Sequence, residues 1–162
     1  MPKPKPKLVA TVLVVFAVLA TPTVADDFKP ETIIALERSA IDRWGKGDPQ
    51  GFLENYAPDI SYFAPSEEHR VDGLAAMREL LIPITGKVKI DRYDMVNPKV
   101  QRRGDIAVLS YQMVNHLTSP SGQSVTVHWN ATAVYERIQG RWKIIHSHFS
   151  YTKADAKPEL RE

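Results

Sequence analysis

The sequence predicts an α+β fold, with N-terminal helices packed on one face of a curved, mostly antiparallel sheet that encloses a pocket. Three observations carry this expectation. Apolar residues recur at helical spacing between residues 30 and 82. From Lys87 the period changes to two. Finally, Ser124 to Tyr151 reads as two long strands joined at Gln139-Gly140, with β-branched and aromatic residues filling both arms.

The chain opens on a basic segment, Lys3, Lys5 and Lys7, followed by an apolar run from Leu8 to Ala20. Small residues then precede Asp26. This is the pattern of a secretory signal peptide over residues 1–25, cleaved after Ala25. An uncleaved anchor is the competing reading, but the apolar run is short for hydrocarbon. Cleavage would leave 137 of the 162 residues, one domain's worth. It would also take Lys+Arg from 21 to 18 against 19 acidic residues, so the formal charge turns from +2 to about −1. No basic stripe remains to suggest nucleic acid. The domain is expected over residues 26–152, free of stable membrane insertion once the leader is gone and placed in the periplasm or secreted. With no cysteine in the chain, disulfides and thiolate metal sites are excluded.

Pro30 and Glu31 suit a first helical turn, and Ile33, Leu36, Ala40, Ile41 and Trp44 recur along one face before Gly45 and Gly47 end the helix. A short second helix follows Asp48-Pro49 with Phe52, Leu53 and Tyr56 inward, then a strand over Asp59–Phe63. After a polar loop to Arg70, Gly73 leads a third helix carrying Leu74, Met77, Leu80 and Leu81. The chain is expected to stay extended from Lys87 to about Arg102, turn at Gly104-Asp105, and run on as a strand from Ile106 to Leu117. Ser119-Pro120-Ser121-Gly122 then turns it into the long hairpin. In that hairpin His128, Asn130 and Thr132 share a polar face with His146, His148 and Ser150. Trp129, Ala131, Ala133 and Tyr135 take the apolar face with Ile145, Ser147 and Phe149. Residues 153–162 form a charged tail.

The order of helix, Gly-Asp, short helix, YAPDISYF, Gly-led helix and long strands resembles the nuclear transport factor 2-like superfamily across Glu31 to Tyr151. Within it, GRWKIIHSHFS resembles the closing strand of SnoaL-like domains and of the calcium/calmodulin-dependent kinase II association domain, through Trp142, His146, His148 and Ser150. The resemblance implies a cone-shaped fold and no cofactor. It leaves function open, because isomerases, cyclases, oligomerisation hubs and binding modules share the scaffold. In ketosteroid-isomerase-like members a base, an oxyanion tyrosine and a protonated acid fall at about Ala64, Ala40 and Ala133 of this chain. None of these can do proton chemistry. Pocket arginines of the kinase association domain would fall near Met113, Ala133 and Phe149, again apolar here.

Trp44, Tyr56, Tyr62, Tyr111, Asn115, Trp129 and Tyr135 are candidates to line the cavity with Met113, Ala133 and Phe149, since aromatic walls with a few polar tips suit a small molecule. Asp59 is a candidate acid, with capping or pairing to Arg70 or Arg78 as the plainer account. His128, His146 and His148 share one face. They could bind zinc if register brings them together, or hydrogen-bond across a homodimer formed by the sheet. The sequence thus points to an exported, noncatalytic module that binds a small hydrophobic or aromatic ligand or self-associates. A SnoaL-like isomerase, cyclase or hydrolase acting on a ring-containing substrate is the alternative.

Overall fold

The computed structural model describes Met1 and residues 28–152. The leader and the charged tail read from the sequence lie outside the described residues, Met1 apart. Helix α1 spans Pro30–Trp44, with proline in its first turn beside Glu31, and Arg43 in its last. Negative charge at the start and positive at the end both oppose the helix dipole. Ile33, Glu37, Ala40 and Ile41 are its buried residues, so the buried stripe follows the apolar period with one acidic intruder.

Helix α2 is a single turn, Gln50–Leu53. Tyr56, expected to close that helix, instead starts strand β1, Tyr56–Phe63, three residues before the strand expected at Asp59. Tyr56 pairs with Ile144 of the last strand, and Ile144 N–H secures the junction by donating to the Asn55 carbonyl at 2.8 Å. A short β2, Val71–Asp72, precedes α3, Leu74–Leu81, which tightens into a 3-10 turn at Ile82–Ile84.

The strand expected from Lys87 begins only at Arg92: β3 runs Arg92–Arg103. The intervening segment is tied to the end of α1 instead. Gly86 N–H donates to the Gly47 carbonyl at 2.8 Å, and Ile90 N–H to that of Gly45 at 2.9 Å. The second of these bonds takes a donor that a ladder would have used. Strands β4 (Ile106–Thr118), β5 (Ser124–Ile138) and β6 (Arg141–Tyr151) complete the elements of the described residues. Gln139 and Gly140 both have positive φ, 50° and 79°, as a two-residue hairpin turn requires.

All six strands form one open sheet in the order β2-β1-β6-β5-β4-β3. Every pairing is antiparallel except β1 with β6, which is parallel. The helices cover the concave face, where Tyr56, Leu109, Tyr111, Ala131, Ala133, Tyr135 and Ile144 join Ile33, Ile41, Leu53 and Met77 in one core. Two irregularities bend the sheet. In β3 the ladder shifts between Val96 and Lys99, where Pro98 has no N–H to give and Asn97 adopts φ 49°. In the hairpin, Val134 pairs with His146 but Tyr135 with Ile144. Ile145 is therefore the extra residue of a bulge, and the inward apolar position expected for it belongs to Ile144.

Candidate functional site

A cavity of about 390 Å³ opens between the helices and the concave side of the sheet. Alternation on β4, β5 and β6 sends Met113, Asn115, Trp129 and Phe149 to this side, while α1 supplies Ile41 and Trp44 and α2 supplies Phe52. Tyr56 and Tyr62, six apart on β1, face it across Phe52 and Phe149 respectively. Phe52 stacks on Tyr56 at 6.1 Å between centroids, and Phe149 meets Tyr62 edge-on at 6.4 Å. Leu80, Leu81 and Ile84 close one side, and the loop Ala64 to Glu67 forms the rim.

Most of the residues expected at a cavity therefore share its wall: Trp44, Tyr56, Tyr62, Met113, Asn115, Trp129 and Phe149. Tyr111, Ala133 and Tyr135 are on the same sheet face but lie in the core away from the wall. Ala64, the position of the isomerase base, is at the rim. Ala40 and Ala133 are buried in the core.

What the sequence reading missed is Glu37. Its side chain is completely buried, and its two carboxyl oxygens each accept a hydrogen bond, Oε1 from Tyr111 Oη at 2.7 Å and Oε2 from Tyr135 Oη. Burial pushes the Glu37 carboxyl above the ordinary range, and the two tyrosine hydroxyls pull only partly back. Burial also raises Tyr111 and Tyr135 well above the usual phenol range, and the Glu37 carboxylate adds to it. Tyr56 shifts the same way, and Tyr62 is pushed up to about 12, again chiefly by burial. The signal was present in the periodicity. Glu37 lies four residues from both Ile33 and Ile41, in the middle of the apolar stripe. An acid there must either find donors or unfold the stripe.

Polar atoms on the cavity side are few. Asn115 Oδ1 and Trp129 Nε1 are both shut off from solvent with no hydrogen-bond partner. Among the described residues no lysine, arginine or histidine lines the wall, and the charged group found there is Glu67 on the rim.

Asp59 is exposed on β1. Arg70, its suggested partner, binds Asp72 instead through Nε at 2.7 Å and a second nitrogen at 3.0 Å. The three histidines share the outer sheet face but are spread along it. His148 is opposite Thr132, His146 opposite Val134, and His128 opposite Val114. Among the described residues, no three His, Cys, Asp or Glu side chains come together as a metal site. His146 Nδ1 lies 2.9 Å from Ser61 Oγ, and Phe63, 45% exposed, packs edge-on against both His146 and His148. Burial, then His148 and Arg70, holds His146 below its usual pKa.

A cone of helices over a curved sheet with an aromatic cavity defines a nuclear transport factor 2-like domain. The family model for the calcium/calmodulin dependent protein kinase II association domain matches residues 29–153, and the chain belongs to that family. It is 34% identical to a putative ketosteroid isomerase from Parabacteroides distasonis, covering 81% of this chain and 93% of that one, with a TM-score of 0.69. The association domain of the C. elegans kinase shares the fold at 21% identity, 74% and 93% coverage and a TM-score of 0.65. So does an NTF2-like protein of unknown function from Pseudomonas putida, at 22% identity, 75% and 84% coverage and a TM-score of 0.63. No curated protein matches the chain.

Proposed function

We propose that this chain is an exported, noncatalytic domain that binds a small hydrophobic molecule and pairs with a second copy through the outer face of its sheet. The observation that carries the reading is the cavity: aromatic and aliphatic walls, about 390 Å³ of space, and no proton-transfer group at Ala40, Ala64 or Ala133. The buried acid does not replace them, because both oxygens of Glu37 are engaged by tyrosines in the core. Pairing is supported by the exposed Phe63 between two histidines, and by relatives whose names describe them as association domains and hubs.

Native mass spectrometry of the purified protein tests both parts. The expected spectrum shows a dimer of chains beginning at or near Asp26, carrying a co-purified small molecule. A bare monomer would overturn the proposal, and an intact leader would remove the export part alone. The dimer should also respond to acid. A histidine held below its usual pKa is neutral at pH 7, favours the native state above about 6.5, and forfeits that contribution as pH falls through its lowered value. In the proposed pair His146 lies on the outer face that becomes buried, where a protonated imidazole is costly, so sedimentation should show a looser dimer at pH 5 than at pH 7, with the difference reduced in His146→Gln. Equal association at both values, in both proteins, would take His146 out of the interface.

The second reading, a SnoaL-like enzyme acting on a ring-containing substrate, is favoured by the 34% identity to the putative ketosteroid isomerase. It requires Glu37 to exchange a proton with a bound molecule, through Tyr111 or Tyr135. Turnover of a ring ketone that disappears in Glu37→Gln while binding survives would establish it.

A further inference from the structure

Asn115 and Trp129 sit side by side on the concave face. Trp129 pairs across the ladder with Met113, so Asn115 is its diagonal neighbour two residues further along β4. Both line the cavity. Asn115 is only 6% exposed, and its Oδ1 and the indole Nε1 have no hydrogen-bond partner among the described residues. Buried polar atoms in native proteins are nearly always paired, so two orphans at one spot on a cavity wall call for a ligand. One is an acceptor and the other a donor.

We propose, building on the ligand-binding reading above, that the cavity selects an uncharged ring compound bearing one hydroxyl, and that Asn115 and Trp129 hold this hydroxyl between them, each turning its unpartnered atom toward the cavity as the ligand enters. A hydroxyl can donate to Oδ1 and accept from Nε1 at once, and it serves equally well if the Asn115 amide is turned to present its N–H. A hydrocarbon satisfies neither atom. With Oδ1 toward the site a carboxylate can accept from Nε1 but has nothing to give, and with the amide turned it can accept from both side chains but still brings a full charge. In either orientation it would surrender its hydration to a wall that, among the described residues, carries no cation. An ammonium fares no better at depth, because Glu67 is exposed on the rim and Glu37 is occupied by its two tyrosines. The aromatic rings around the site, Trp44, Tyr56 and Phe149 among them, take the apolar body of the molecule.

Equilibrium dialysis of the purified protein against four probes that share one ring system tests this: naphthalene, 2-naphthol, 2-naphthoate and 2-naphthylmethylammonium. Naphthol should bind about tenfold more tightly than naphthalene, the difference one satisfied hydrogen-bonding pair makes. Neither ion should bind measurably. Asn115→Leu and Trp129→Phe, each checked for native circular dichroism, should erase the preference, so that each variant binds naphthol and naphthalene with equal affinity. Naphthalene binding as tightly as naphthol would overturn the inference while keeping the ligand-binding reading. So would an ion binding more tightly, or folded variants of both residues that keep the naphthol preference. Failure of all four probes would overturn the ligand-binding reading itself, and the inference with it.

Discussion

Glu37→Leu is expected to lower the stability of the domain by about 2–5 kcal/mol, because it strips the acceptor from two buried phenol hydroxyls at about 1–3 kcal/mol each. Tyr111 and Tyr135 both donate to this carboxyl, and Tyr135 is itself fully buried, so no water can take over. Glu37→Gln keeps the shape and one acceptor, and should lose far less. The pair also reports on titration. A carboxyl whose native pKa lies above its unfolded value binds its proton more tightly in the folded state. Its contribution is therefore complete below the unfolded pKa of about 4.5 and is lost as pH rises through the native value. Urea midpoints measured from pH 4 to 8 should show wild type losing ground to Glu37→Gln as pH rises. His146 slopes the other way, so the difference between the two proteins, not the wild-type curve, carries the result. Parallel curves would mean that Glu37 does not titrate in this range.

Gly47→Val should be almost as severe, at about 2–4 kcal/mol, from steric overlap added to backbone strain. Gly47 has φ 82°, and a Cβ there would lie 2.7 Å from Gly86 Cα and 3.0 Å from its nitrogen. Gly86 cannot back away without breaking its hydrogen bond to the Gly47 carbonyl. The contact joins the end of α1, which carries Trp44, to the segment after Ile84, so two parts of the cavity wall would move with it. Gly86→Ala is the control. Its φ of 74° is also positive but nothing stands within 4 Å of a new Cβ, so only the conformational cost of about 1–2 kcal/mol remains. Thermal unfolding that gives equal losses for both variants would remove the steric part of this account.

Helix α1 and the faces of the long hairpin were legible because each depends on a local period. Ile33, Ala40 and Ile41 show the helical stripe directly, and His128 and Trp129 fall on opposite faces as alternation demands. Depth along a strand was not legible. Met113 and Tyr111 share a face, yet one lines the cavity and the other donates to Glu37, and only the position of α1 over the sheet decides which. The parallel pairing of β1 with β6 was equally out of reach, since no turn chemistry records it. Ile145 was misplaced for a similar reason: a bulge shifts the phase of alternation without changing the residue types on either side. Glu37 escaped because a search for apolar residues at helical spacing passes over the one acid among them.

The parallel pairing also orders events in time. Ser61 meets His146 across 85 residues of chain, so β1 and everything resting on it must wait for the final strand to be made. The meander of β3, β4 and β5 can zip from its turns, but the sheet cannot receive its first strand until its last arrives. Contacts this distant in sequence form late. A protein threaded through a translocation channel has to stay unfolded until it is through. On the export proposed above, a sheet whose first strand docks beside its last delays its own completion until the end of the domain has passed through.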